Sequence, residues 1–67
     1  MNAMKFSTKK AAESAVIELG SNGYPASVAG HSRNWSVLVN IRINGRRHVG
    51  FLGEDGKPHA EKELEAA

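Results

Sequence analysis

The sequence predicts an α+β fold: an N-terminal helix packed on a three-stranded antiparallel sheet (α-β-β-β), followed by a short or frayed C-terminal helix. Three observations carry this expectation. Ala12, Ala15, Val16 and Leu19 recur at helical spacing and make one apolar stripe, with Lys9, Glu13 and Glu18 off it. Trp35, Val37, Val39, Ile41 and Ile43 occupy every second position of a run rich in β-favouring residues. Asn44 and Gly45 then form a dipeptide that favours a tight hairpin turn.

The helix opens at Ser7 or Thr8, whose hydroxyl can accept a bond from the first free amides, and Phe6 is placed to pack on Ala11. Gly20 is the expected left-handed stop. Ser21, Asn22 and Gly23 make a turn into a short strand, Tyr24 to Ala29, which Pro25 directs to a sheet edge because it has no amide to donate. The strand from Trp35 to Ile43 turns its Trp35 face to the core, and its partner runs from Arg46 to Leu52. Two registers compete for this hairpin. A two-residue turn sets Ile41 opposite His48 and Val37 opposite Leu52, and turns Val49 and Phe51 away from the Trp35 face. A three-residue loop with Gly45 left-handed sets Val39 opposite Val49 and Val37 opposite Phe51, gathering both apolar sets on one face, so a bulged hairpin is expected. The other face would then carry Ser36, Leu38, Asn40 and Arg42 beside Arg46, His48, Gly50 and Leu52. Gly53, Gly56 and Pro58 break the pattern. Residues 59–67 are good helix formers with Leu64 as the one large apolar residue, which makes 54–67 a short helix or a mobile tail and leaves an ordered core over 6–53.

A chain of 67 residues supports a single domain with one modest core, and its stability is expected to be thin. It has no cysteine to staple it, which fits a reducing compartment. No apolar run approaches membrane-spanning length, and Met1 to Phe6 is too short and too polar for a signal peptide, so a soluble, cytoplasmic protein without a membrane partner is expected. The net charge of +2 conceals a division. Arg33, Arg42, Arg46 and Arg47 fall in a central stretch free of acids, whereas Glu54, Asp55, Glu61, Glu63 and Glu65 outweigh Lys57 and Lys62 towards the C-terminus. A basic middle steers an anionic partner, or pairs two copies head to tail.

Catalytic and metal chemistry find little purchase. His31, His48 and His59 are widely spaced and none is paired at a ligand separation, so no metal is expected. No strand-to-helix elbow marks a nucleophile. Gly50, Gly53 and Gly56 lack the lysine and following hydroxyl of a phosphate loop and have Glu54 and Asp55 where phosphate would approach. Asn34, Trp35 and Ser36 match a glycosylation sequon, which has meaning only in a secretory pathway. A non-enzymatic binding module, with no cofactor and no small-molecule substrate, is the class that remains.

Through Phe6, Ala12, Ala15, Leu19, Gly23, Tyr24 and the strand of Trp35, Val37 and Val39, residues 6–39 resemble the first half of a SPOR domain, a peptidoglycan-binding module. That family also needs a leading strand, a second helix and a further strand, which this chain has no room for. Through Gly30 and His31 ahead of the Trp35 strand, the Asn44–Gly45 turn, and Lys57, Ala60, Glu61, Ala66 and Ala67, residues 29–67 are similar to the later part of a double-stranded RNA-binding domain. That resemblance implies a final helix whose first turn grips phosphate with lysines. Only Lys57 stands there, before Pro58 and His59, so neither resemblance extends to the whole chain.

The leading expectation is a nucleic-acid-binding module that reads through a basic β-hairpin face. Arg33, Arg42, Arg46 and Arg47 would contact phosphates, with Asn40, His48 or His31 adding hydrogen bonds. The alternative is a protein-binding module, an inhibitor, adaptor or homodimer, using Leu38 and Leu52 on the same sheet face or an edge strand at Tyr24 to Ala29. Trp35 is assigned to the core and not to a base-stacking role.

Overall fold

A computed structural model describes residues 2–64. The elements are α1 (Lys9–Ser21), β1 (Ala26–His31), β2 (Asn34–Ile43), β3 (Arg46–Leu52) and β4 (Pro58–Glu63). The strands form one antiparallel sheet in the order β1-β2-β3-β4, so the described residues make an α+β fold with a four-stranded sheet. Its last element is a strand, where a C-terminal helix or mobile tail was expected. Glu65, Ala66 and Ala67 lie outside the described residues.

Thr8 caps α1, its hydroxyl accepting from the Ala11 amide at 3.2 Å. The helix runs past Gly20, the expected stop, because Asn22 and Gly23 close it instead. The Gly23 amide donates to the Gly20 carbonyl and the Tyr24 amide to that of Leu19, which satisfies the last free acceptors. Packed across β1 and β2, α1 buries Ala12 and Leu19 against Val37, Val39 and Leu52, with Val16, Val28, Trp35 and Ile41 closing the margins. The Trp35 face is therefore the core face, as its alternation requires. Trp35 itself sits at the edge, half-buried, its indole N–H donating to the Ser32 carbonyl at 2.7 Å.

The β2–β3 register is the two-residue one, which corrects the expected bulged hairpin. Ile43 pairs with Arg46, Ile41 with His48 and Leu38 with Phe51. Asn44 and Gly45 both take positive φ, 51° and 78°, the mirror-image turn whose twist matches the strands it joins. Turn chemistry overrode the gathering of apolar residues because Val49 and Phe51 have other company: β4 extends the second face and half-buries them there. In exchange Leu52 enters the core, 5% exposed, and Arg46, His48 and Gly50 move to the helix side.

That β4 is a strand follows from Gly50. Glu61 is the extra residue of a bulge, Ala60 facing Gly50 and Lys62 facing Val49. The β4 main chain passes so close at this point that a Cβ on Gly50 would lie 1.9 Å from the His59 carbonyl oxygen. Pro58 takes the first position of the strand, where its missing amide is harmless. Arg46 and Glu63 pair at 3.1 Å at the other end. Helix propensity in this segment yields to the pairing of an otherwise bare β3 edge.

The N-terminal residues are part of the sheet's architecture. Beyond Leu38–Phe51 the strands β2 and β3 part, and residues 2–6 run into the gap. The Met4 amide donates to the Leu52 carbonyl, the Glu54 amide to that of Asn2, and Phe6 and Trp35 exchange two backbone bonds. Among the described residues no helix is long and apolar enough to cross a membrane.

Candidate nucleic-acid interface

Because α1 covers one side of the sheet, the alternation of each strand delivers a second set of side chains to an uncovered side. Three ranks cross it. Arg42 of β2 stands opposite Arg47 of β3; Asn40, Val49 and Lys62 form the next rank; Leu38, Phe51 and His59 form the third. Arg42, Arg47, Asn40 and Lys62 are exposed, and Leu38 is 41% exposed.

The two-residue turn makes Ile43–Arg46 a hydrogen-bonded pair, so Arg42–Arg47 falls on the alternate type, in which facing side chains approach more closely. Like charges directly opposite one another destabilise a sheet. No carboxylate relieves this pair among the described residues, whose ion pairs are Arg46–Glu63 and Asp55–His59. An anion laid across both guanidiniums would offset any such repulsion.

The other end of the face has a different character. Phe51 and His59 stack, centroids 5.7 Å apart and planes 25° from parallel. His59 Nε2 lies 3.0 Å from an oxygen of Asp55, whose carboxylate also accepts from the Lys57 amide at 3.0 Å. These bonds, the histidine's first, hold the Asp55 pKa below the ordinary aspartate value. A lowered folded-state pKa stabilises the fold above the unfolded value and loses that contribution as pH falls through the lowered one. Acid unfolding of the parent, as pH falls from the ordinary aspartate range through the lowered value, is therefore expected to include a component that Asp55→Asn removes, read as a flatter melting temperature against pH. Parallel profiles for the two proteins would show the contact to be energetically idle.

Of the residues the sequence nominated, Asn40, Arg42, Arg47 and Leu38 share the open face. Arg46 lies on the opposite side, held by Glu63. His48 is also on that side, half-buried between Ile41 and Glu63, its Nδ1 3.2 Å from the Arg46 carbonyl oxygen. Arg33 sits in the β1–β2 turn, and His31 at the end of β1, both at the far end of β2 from Arg42. Nine residues of extended strand, about 30 Å, separate Arg33 from Arg42. Leu52, paired with Leu38 in the expected protein interface, is core. Sequence reasoning missed Phe51, His59 and Lys62; the Asn44–Gly45 dipeptide, read as a two-residue turn, was the signal that would have placed Phe51 beside Leu38.

A second concavity opens on the helix side, between α1 and the β3–β4 turn, lined by Phe6, Ala15, Leu19, Tyr24, Leu52 and Pro58. Among the described residues no group of three or more His, Asp or Glu side chains is arranged to hold a metal ion. Comparison of the chain with protein-family models, with curated proteins and with solved structures finds no match.

Proposed function

We propose that this protein is a non-catalytic nucleic-acid-binding module whose contact surface is the open face of its sheet. The observation that carries the reading is the Arg42–Arg47 pair: two exposed arginines at directly opposite register positions, without a carboxylate partner among the described residues, on a side of the sheet that no described element covers. Lys62 extends the positive charge onto β4, and Asn40, two residues from Arg42 along β2, supplies a donor and an acceptor on the same face. Guanidiniums suit phosphate through their planar, forked donors. Arg46, neutralised by Glu63 on the other face, serves as the internal control.

The test is a titration of labelled DNA and RNA oligonucleotides at about 50 and about 200 mM salt, where each phosphate contact contributes roughly 0.7 to 0.9 to the logarithmic salt slope. Arg42→Ala combined with Arg47→Ala is expected to weaken binding at least about tenfold and to reduce the slope by roughly 1.5, while Arg46→Ala changes neither appreciably. Equal affinity for the double variant and the parent, or binding indifferent to salt, would overturn the proposal.

A further inference from the structure

We infer that the nucleic acid taken by this face is single-stranded, its bases stacking at the Phe51–His59 end while Arg42, Arg47 and Lys62 hold its phosphates. The inference rests on the proposed function and narrows it to a ligand class.

The face is divided by chemistry. Cations occupy the ranks near the β2–β3 turn, and the aromatic pair with Leu38 occupies the rank nearest the N-terminal residues. Along β3, Phe51 and Arg47 are four residues apart, about 13 Å. A strand lying along the sheet can thus set phosphates on the arginines and reach the rings within the same short stretch. The acids sharpen the division. Asp55, bonded to the His59 ring, and Glu61, near Leu38 and Phe51, place negative charge at the aromatic end. Phosphate is repelled there, whereas a base, which is uncharged and carries N–H donors, is not.

A duplex cannot use these rings. Its base faces are stacked on one another, and its major groove, about 12 Å wide, admits a two-stranded ribbon. Four strands span about 14 Å between the outer axes before side chains are added. Single strands leave their bases free to stack on aromatic side chains, while a charged groove tracks the backbone. The competing geometry is the tip of the β2–β3 hairpin, which extends beyond its pairing with β1 and carries Arg42, Arg46 and Arg47 around an exposed Ile43. That tip would suit a duplex groove, so ligand class decides between the two.

The experiment uses the full chain, a mixed-sequence oligonucleotide of about 12 nucleotides with 2-aminopurine at its centre, and the same sequence as a duplex. The variant is Phe51→Leu combined with His59→Gln, which keeps apolar bulk on β3 and a side-chain amide in place of the imidazole, with circular dichroism confirming the fold. The parent is expected to bind the single strand at least about tenfold more tightly than the duplex and to quench the 2-aminopurine. The variant is expected to lose about tenfold or more in affinity and most of the quenching, with its salt slope unchanged. Duplex bound as tightly as the single strand, or a folded variant that binds and quenches like the parent, would overturn the single-strand inference while leaving the phosphate-binding proposal standing. Absence of salt-dependent binding to either form would overturn both. Light scattering that then showed a dimer, dissociated by Leu38→Ser, would assign the face to a second copy of the chain.

Discussion

Replacing Gly50 by Ala is expected to be among the most damaging single-atom additions available in this protein, because the new methyl has nowhere to go. An ideal Cβ at Gly50 would lie 1.9 Å from the His59 carbonyl oxygen and 2.9 Å from the Ala60 Cα, both backbone atoms. No rotamer change can clear a main chain, so β4 must move. Forced backbone displacement in a packed site costs about 3 kcal/mol, comparable with the whole stability expected of a core built on Ala12, Leu19, Val37, Val39 and Leu52. As an edge strand, β4 is the element that should yield first. The variant is expected to lose β4 pairing, seen as fast amide exchange in β4, and to unfold at a much lower urea concentration by Trp35 fluorescence. If the open face binds single strands as proposed, that binding should be lost as well, since His59 and Lys62 leave with β4. A midpoint equal to the parent's would show that β4 does not pass Gly50 as closely as described.

Leu52 and Leu38 give the second contrast, because they were expected to act together and the sheet has sent them to opposite sides. Leu52→Ser removes a side chain that is 5% exposed and packed with Val37 and Val39, and leaves a hydroxyl beneath the β3–β4 turn. A loss of about 3 to 4 kcal/mol is expected, enough to leave much of the protein unfolded at 25 °C. Leu38→Ser, on a side chain 41% exposed on the open face, is expected to stay within about 1 kcal/mol of the parent. Chemical denaturation of the two variants side by side is the measurement. A stable Leu52→Ser protein would mean that the two faces of β3 have been exchanged, and an unfolded Leu38→Ser protein that those of β2 have been.

Those two leucines mark where the sequence could be read and where it could not. The helix was legible because its stripe has one period, Thr8 is a capping residue and nothing in the segment competes. The Trp35 face of β2 was legible for the same reason, and Val37 and Val39, fully buried, bear it out. On β3 the pattern misled: Val49 and Phe51 share one parity and Leu52 holds the other, so gathering the larger apolar set on the Trp35 face favoured the bulged register that the structure does not have. The turn settled it through the positive φ of Asn44 and Gly45, a local constraint stronger than the preference for one apolar face.

The candidate site was partly legible for the same cause. Asn40 and Arg42 lie on a strand whose parity was clear, and their exposure follows from it. Arg47 was nominated alongside Arg46, yet only the register separates one as the partner of Arg42 from the other as the partner of Glu63. Phe51 was missed with the β2–β3 register and His59 with β4, and both are needed to make the two rings neighbours on one face.

By itself, then, the sequence determined the class of fold, the helix, the buried face of β2 and the basic character of the middle of the chain, because each depends on periodicity or composition within one segment. Tertiary structure alone decided that Pro58–Glu63 is a strand, that Gly50 admits it, and that Phe51, His59 and Lys62 meet Asn40, Arg42 and Arg47 on an open sheet. Good helix formers became a β-strand because the free edge of β3 offered hydrogen bonds and packing that an isolated helical turn cannot supply, and helix propensity differences of a few tenths of a kcal/mol per residue are too small to resist that.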